Sequence, residues 1–407
     1  MEQKIISLIF CISIAKCLFS QPGCTDPQAI NFSALAIEND GSCLYETTAY
    51  TLENVADLSP ETLAENSGLL LINQSLWTIN DGGNSTMIYE LDTAGNILRE
   101  VFIEGVNNID WEALTQNETH LFIGDFGNNS GSRQDLSIVK INKSELLSNT
   151  TDTVSGQTLF FKYSDQVDFS GPSNAHNYDC EAFISIADSL CLFSKNWQNQ
   201  EVRKYIIPLD WDGVYTAIAS ESFDVDGLIT DAAFDSINNN IVLLGYYDIG
   251  PGIYNSFVWM LWDYSAGNIF NGNKRRIEIG NMLTLGQTEG ISLRPSSVKG
   301  YVSSEQISSL ITIPPKLFTF NFEQFLSSST AAAGNAQDNF LISCYPNPFD
   351  SRVFLRNYEG GFQLYSALDG KLVSEGVYHN QGIDLSGLSL GLYLLKTCQK
   401  TFKIVKI

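Results

Sequence analysis

The 407-residue chain carries 46 Asp and Glu against 23 Lys and Arg, a formal net charge of −23, with 44% hydrophobic and 17% charged residues. Length allows two or three domains, and this composition belongs to folded domains, not to a disordered or collagen-like chain. So acidic a body disfavours nucleic acid and anionic membranes as partners, and no nucleic acid is expected. Aromatic residues at 12%, with 31 glycines, lean towards strands and turns.

The chain opens MEQKIISLIFCISIAKCLFS. Lys4 gives it a basic start, and the apolar run from Ile5 to Ala15 is too short to cross a bilayer, so residues 1–20 read as a signal peptide. No later segment has the roughly 20 apolar residues of a membrane helix, and no transmembrane segment is expected. Cys11 and Cys17 fall in the signal. Cys24, Cys43, Cys180, Cys191, Cys344 and Cys398 remain, and an even number in an exported chain permits disulfides.

Residues 21–46 contain GCTDPQAINFSALAIENDGSCLY. This stretch resembles a short cysteine-bracketed module of secreted Bacteroidota proteins, with a thrombospondin type 3-like character. It is too small for a core of its own, so a Cys24–Cys43 bridge supplies the constraint, worth about 3 kcal/mol in the chain-entropy model. Asp26, Asn31, Glu38, Asn39 and Asp40 offer oxygens for calcium, but the DxDxDG pattern is missing, and a disulfide-closed spacer with solvated acids is the preferred reading.

Residues 47–325 repeat once their acids are aligned. Five units open on Glu65, Glu112, Glu181, Asp231 and Glu289, each running into a second apolar strand and then further strand-like runs. Four strands per unit is the pattern of a β-propeller blade. The fifth unit supplies only KLFTFNF after its first pair, and Ala49–Leu58 (AYTLENVADL) provides the missing strand by pairing outside it. An all-β fold with a five-bladed propeller is expected, with six blades as the competitor. Residues 326–338, rich in Ser and Ala, read as a linker.

First strands of blades line a central channel, so the five opening acids should form a ring at one mouth. Asn80, Asp81, Asp125, Lys195, Asn196, Tyr247 and Glu305 end the second strands and should lie nearby. Converging carboxylates must be protonated, paired or share a cation, and Ca²⁺ or Mg²⁺ suits all-oxygen ligands. The alternative is structural: the acids accept hydrogen bonds from backbone N–H groups around the channel. Asp224–Asp235 (DVDGLITDAAFD) begins like a calcium loop but has Ile229 where the turn needs Gly. No HExxH or P-loop motif is present in the sequence.

The runs ENSGLLLINQSLWTINDGGN and NNIDWEALTQNETHLFIGDFGNNSGSRQDLSIVKI resemble phytase-like or SdiA-regulated-like propellers of secreted Bacteroidota proteins. The resemblance covers roughly 50–325 and is strongest over 65–141. It implies a propeller, and matches Glu65, Asp81, Asp110, Glu112, Asp125, Asn128, Asn129 and Arg133 to its motif. FGNN reads either as a turn lined by functional amides or, as preferred, as a turn that needs Gly127 and Asn for positive φ. Cys180 and Cys191 are expected as free buried thiols, because their hairpin register is offset.

Residues 339–407 contain Tyr345-Pro-Asn-Pro-Phe349, a strand-turn-strand LYSALDGKLV, then IDLSGLSLGLYLLK and a basic terminal KIVKI. This stretch resembles the C-terminal sorting domain (type A) of the Bacteroidota type IX secretion system. The resemblance implies an Ig-like β-sandwich, export through the periplasm to the outer-membrane surface or medium, and the secretion machinery as a partner. Cys344 and Cys398 fall on two of its strands, so a bridge between its sheets is an open expectation. Two functions follow: an exported propeller that binds a ligand at an acidic mouth, or a calcium-dependent phytase-like phosphoester hydrolase.

Overall fold

The structure, a computed structural model, describes residues 21–326 except 149, 251, 266 and 309–311, and, further on, 343–345, 349, 351–356, 358, 360–368, 370–379, 382–397 and 401–406. The signal peptide expected at 1–20, all of the linker expected at 326–338 except Leu326, and Cys398 lie outside the described residues. The chain divides into two compact units, 1–328 and 329–407.

In the first unit, strands group into five four-stranded antiparallel blades. Blades I to IV are consecutive in sequence: Asn66–Ile72 to Ile97–Glu104, Trp111–Gln116 to Thr153–Tyr163, Asp179–Ile186 to Val214–Asp224, and Leu228–Asp235 to Asn273–Asn281. Blade V takes Gln287–Leu293, Lys299–Glu305 and Lys316–Asn321 from this end of the chain, and its outer strand, Glu53–Asp57, from the beginning. The expected closure outside KLFTFNF is therefore present, and the count is five. Residues Thr48–Ala49, just before the closing strand, pair in parallel with the outer strand of blade IV. One short segment thus binds two neighbouring blades and closes the ring.

Residue pattern explains each strand's place. Inner strands are buried on nearly every residue, as in Trp111–Gln116, whereas outer strands such as Val214–Asp224 alternate and keep one face in water. Between each pair of neighbouring blades lies an apolar cluster. Trp77, Ile88 and Val101 of blade I meet Trp111, Leu121 and Val139 of blade II, and Val242 and Val258 of blade IV meet Ile291 and Val302 of blade V. The remaining seams are filled likewise. The blade III–IV seam adds a buried Lys204–Glu221 ion pair, whose carboxylate also accepts the Ile269 N–H at 3.0 Å.

The ring is tight at its centre. Gly68 adopts φ +65°, and a Cβ there would stand 2.9 Å from the Ala113 backbone of the next blade. Polar side chains stitch the inner strands: Ser67 Oγ donates to Glu112 O at 2.6 Å, Thr230 Oγ1 to Thr288 O at 2.9 Å, and Leu71 N to Ser292 Oγ at 2.8 Å.

The N-terminal module is closed by the Cys24–Cys43 disulfide and rests on blade IV through Asn39 Nδ2 to Asp263 Oδ2 (2.9 Å) and Arg275 stacked on Tyr45. Its oxygens are used internally. Asp26 accepts from Tyr45 Oη at 2.7 Å and Gln28 N at 2.8 Å, and Asn31 Oδ1 accepts from Leu44 N. Cys180 and Cys191 are free and buried.

The second unit has a three-stranded sheet (Ser343–Tyr345, Arg352–Arg356, Ile383–Asp384) and a four-stranded sheet ordered Leu372–Tyr378, Gly360–Ser366, Gly391–Thr397, Thr401–Lys406. Both contribute to one core that includes Val353, Leu355, Leu364, Leu395 and Ile404, which makes a small β-sandwich. Cys344 is a free thiol, so the bridge to Cys398 has no support here.

Candidate functional site

Every inner strand breaks register near its start, with one extra residue against the second strand. In blades II, III and V that residue is Glu112, Glu181 and Glu289; in blades I and IV it is Gly68 and Thr230. A β-bulge leaves its extra residue out of the ladder and re-aims the side chain. Three buried glutamates therefore stand at one level of the ring. Two residues earlier come Asp110 in blade II and Asp179 in blade III, with Asn66, Leu228 and Gln287 elsewhere.

These registers correct two members of the expected ring. Glu65 lies three residues before its bulge and is exposed, accepting from Asn84 Nδ2 at 2.7 Å. Asp231 lies one residue after its bulge, fully buried; its Oδ2 accepts Ile291 N at 2.7 Å and its Oδ1 accepts Ala232 N at 2.8 Å. It serves the structural alternative, tying blade IV to blade V. The bulge residues here are Gly68 and Thr230, not acids, so the nearest acid in sequence was the wrong landmark in both blades.

Asp81, Asp110 and Glu112 converge. One ligand oxygen from each lies within 4.8 Å of the other two. Asp81 follows the second strand of blade I, so two blades build the group. Among the described residues none of the three is ion-paired. Burial raises all three carboxyl pKa values. Asp110 is pushed to about 7 by burial and then by Asp81. Glu112 is raised well above the usual range by burial, Glu181 and Asp81. Asp81 is raised by burial, opposed by the Gly82 N–H and Lys195.

Gly127 is needed here for a reason other than the expected positive φ, which it does not have. A Cβ at this position would collide with Glu112 Oε1 and Asp110 Oδ2. The FGNN turn thus backs the acidic group. Asn128 holds it in place: Nδ2 donates to Tyr178 O at 3.0 Å, Oδ1 accepts Arg133 N at 3.0 Å, and its N–H donates to Asp179 Oδ1 at 2.6 Å. Asn129 is exposed, and its carbonyl accepts Asn174 N at 2.9 Å. Asp125 is a support too. It pairs with Arg133 at 3.0 Å and accepts the Asp110 N–H at 3.0 Å, so it orients the turn instead of joining the group.

A second acidic group surrounds Lys195. Its ammonium pairs with Glu181 and lies 5.0 Å from the Trp197 ring centroid and 5.1 Å from that of Tyr246. Trp197 Nε1 in turn donates to Asp179 Oδ2 at 2.8 Å. Burial works against the lysine charge, but Glu181, Tyr246, Glu289 and Asp179 hold its pKa well above the ordinary value. Glu289 accepts Gln287 Nε2 at 2.7 Å and is pushed to about 7, by burial against the pull of Lys195. Glu305, half-buried, is raised by burial and then by Glu289 and Asp81. Tyr246, not the expected Tyr247, faces this group; Tyr247 accepts from Asn255 Nδ2 at 3.1 Å.

Asp179, Trp197 and Tyr246 are the functional neighbours that the acid alignment missed. The signal for Asp179 was available as a repeated D-x-E, Asp110-Trp111-Glu112 and Asp179-Cys180-Glu181. The aromatic residues have no comparable sequence mark.

Neither the known family models nor the curated proteins give a match to this chain. Among solved structures, it is similar to an alpha-L-arabinanase of Penicillium chrysogenum complexed with arabinobiose, at 10% identity and a TM-score of 0.38, covering 68% of this chain and 99% of that one. It is also similar to a chain of the Mitotic Checkpoint Complex, at 10% identity and a TM-score of 0.31, covering 68% and 93%. Likenesses this distant transfer no residue and no activity; the propeller stands on its own strand pairing.

The Asp110 shift sets a pH dependence. Its folded value of about 7 lies above the unfolded value of 3.8, so the native state holds the extra proton between them and stability falls as pH rises through that window. In metal-free buffer, Asp110→Asn should raise unfolding free energy at pH 8 by on the order of 1 kcal/mol, a figure discounted for partial exposure, and by little near pH 4. Urea unfolding at the two pH values checks this, and an equal gain at both would contradict it.

Proposed function

We propose that the propeller is an exported ligand-binding protein whose acidic mouth works through a hard divalent cation, Ca²⁺ foremost, held by Asp81, Asp110 and Glu112. The observation that carries this reading is the convergence of three carboxyl groups within 4.8 Å, with no ion-pair partner among the described residues. Oxygen-only donors of this charge suit Ca²⁺ or Mg²⁺, and a bound cation returns each carboxyl to its ionised form. The remaining positions on the ion are the natural place for ligand oxygens.

Asp110 and Glu289, both ionising at about 7, favour a second reading. Carboxyls poised near neutrality are suited to general acid–base work, so the calcium-dependent phosphoester hydrolase remains the alternative activity of the same site. The acidic surroundings would leave the metal as the main counter-charge for phosphate.

Delivery is the role proposed for residues 339–407, on their resemblance to type IX sorting domains, with the secretion machinery as partner. Secretion of a chain ending at residue 338 tests it. Retention in the periplasm is expected, and normal export would refute the assignment.

Calcium titration of the full mature chain tests the site. Binding should stabilise the fold by about 2.7 kcal/mol at a hundredfold excess over the dissociation constant. Glu112→Gln should weaken affinity at least tenfold, a change of about 1.4 kcal/mol. A phosphoester panel run alongside separates the two readings: turnover that needs calcium and Glu112 supports the hydrolase, binding without turnover supports the ligand-binding protein, and neither outcome sinks the cation site unless binding itself is absent.

A further inference from the structure

Blade III repeats the D-x-E pair of blade II in register, with Asp179 on Asp110 and Glu181 on Glu112, and puts its aspartate to a different use. Asp110 converges on Asp81 and Glu112. Asp179 spends both oxygens on bonds within the chain. Its Oδ1 accepts the N–H groups of Asn128 at 2.6 Å and Cys180 at 3.1 Å, and its Oδ2 accepts Trp197 Nε1 at 2.8 Å. The indole is therefore fixed in place. Its backbone N–H donates to His176 O at 3.1 Å, and the Lys195 ammonium lies over the ring, 5.0 Å from the centroid. Even so held, Trp197 is only half-buried, and part of its ring stays open to solvent.

Trp197 is a near neighbour of the three converging acids. Through Asp179 it reaches Asn128, and the preceding residue, Gly127, packs so closely on Asp110 and Glu112 that a Cβ would collide with both carboxylates. The acids themselves lack a partner. Glu112 is 5% exposed and aimed at Asp81 and Asp110, yet its carboxyl has neither a hydrogen bond nor an ion pair among the described residues. A buried acceptor without a donor points to a group that the chain does not itself supply.

Charge decides what can bind beside that group. Three ionised carboxylates with one divalent cation still leave one negative charge uncompensated. The cationic side chains that act on the acids are Lys195, on Asp81, and Arg133, on Asp110. Both are engaged: Lys195 pairs with Glu181, and Arg133 binds Asp125 at 3.0 Å, Asp135 at 3.1 Å and Gly127 O at 2.9 Å. An anionic ligand would meet like charge with no spare cation from either, which is a strong penalty, whereas a neutral one escapes it. The loops at this end of blades II and III expose Asn107, Asn129, Gln198 and Asn199, uncharged groups that both donate and accept.

Resting on the cation reading above, we infer that the ligand is a neutral polyhydroxylated molecule, a sugar, whose hydroxyl oxygens complete the coordination of the ion while its ring packs on Trp197. An apolar aromatic wall with a few convergent polar groups is the usual make-up of a small-molecule site. A sugar ring offers both matching surfaces: hard oxygens for the cation and a C–H face for the indole. Trp197 is then a specificity-determining residue, and Asp179 the positioning residue that holds it.

A glycan array carrying neutral oligosaccharides beside sulfated and uronic-acid ones, probed with the full mature chain, tests this. With Ca²⁺ present the neutral members should be bound, and chelator should abolish that binding. Trp197→Ala should weaken it by roughly tenfold, with Ca²⁺ affinity unchanged by calorimetry, and Trp197→Phe, which keeps a ring, should recover part of the loss. Calcium binding with no neutral sugar bound, a preference for the sulfated members, or undiminished sugar binding by Trp197→Ala would each overturn the inference and leave the cation site intact. Sugar binding that survives chelator and still needs Trp197 would reject the cation reading and keep the Trp197 contact. Binding of neither calcium nor sugar would reject both. Should Trp197→Ala fold poorly, oxidation of the wild-type indole by N-bromosuccinimide takes its place. Bound neutral sugar should protect Trp197, read by peptide mass spectrometry, and equal oxidation with and without sugar would overturn the inference.

Discussion

The β-bulge near the start of each inner strand is the constraint on which the site depends. Five strands meet closely enough that Gly68 allows no Cβ against the neighbouring backbone. In that space an extra residue per strand has nowhere to go but out of the ladder. Where it is Gly68 or Thr230, the ring gains a close contact or a hydrogen bond to the next blade. Where it is Glu112, Glu181 or Glu289, a buried carboxylate stands among others like it. Fold closure and charge convergence are thus consequences of one piece of backbone geometry.

Concentrating carboxylates this way is costly, and the molecule offsets the cost unevenly. Asp231 is satisfied by backbone N–H groups, and Asp125 by Arg133. Glu181 has Lys195. Asp81, Asp110 and Glu112 have backbone contacts and a packed turn but no cationic partner among the described residues. The structural alternative therefore holds for some acids and not for others. Asp231, one residue past its bulge, and Asp125, on a second strand, reach backbone or arginine, whereas Asp110 and Glu112 face each other and Asp81.

Much of this architecture was legible in sequence. Strand length, alternation on the outer strands and the incomplete fifth unit implied five blades closed by the segment around Glu53–Asp57. The disulfide of the first module was legible from its two bracketing cysteines. The site was only partly so. Glu112, Glu181 and Glu289 share one structural position because each is the extra residue of its inner strand's bulge, and aligning on acids found them. The same procedure took Glu65 and Asp231 as equivalents, because the bulge residues of those strands are Gly68 and Thr230, and the nearest acid stands three residues before the one and one residue after the other. Asp81 joins Asp110 across a blade boundary, a contact that no local pattern encodes. Gly127 was read as a turn glycine, when the pressure on it comes from two side chains far away on another strand.

The central claim is that the mouth is built around one external cation, and diffraction can locate it. A crystal of the mature protein soaked in Mn²⁺, an anomalously scattering stand-in for a hard divalent ion, should show a single strong anomalous peak within coordination distance of Asp81, Asp110 and Glu112. An empty mouth at saturating ion, or a peak placed away from those three carboxylates, would contradict the account.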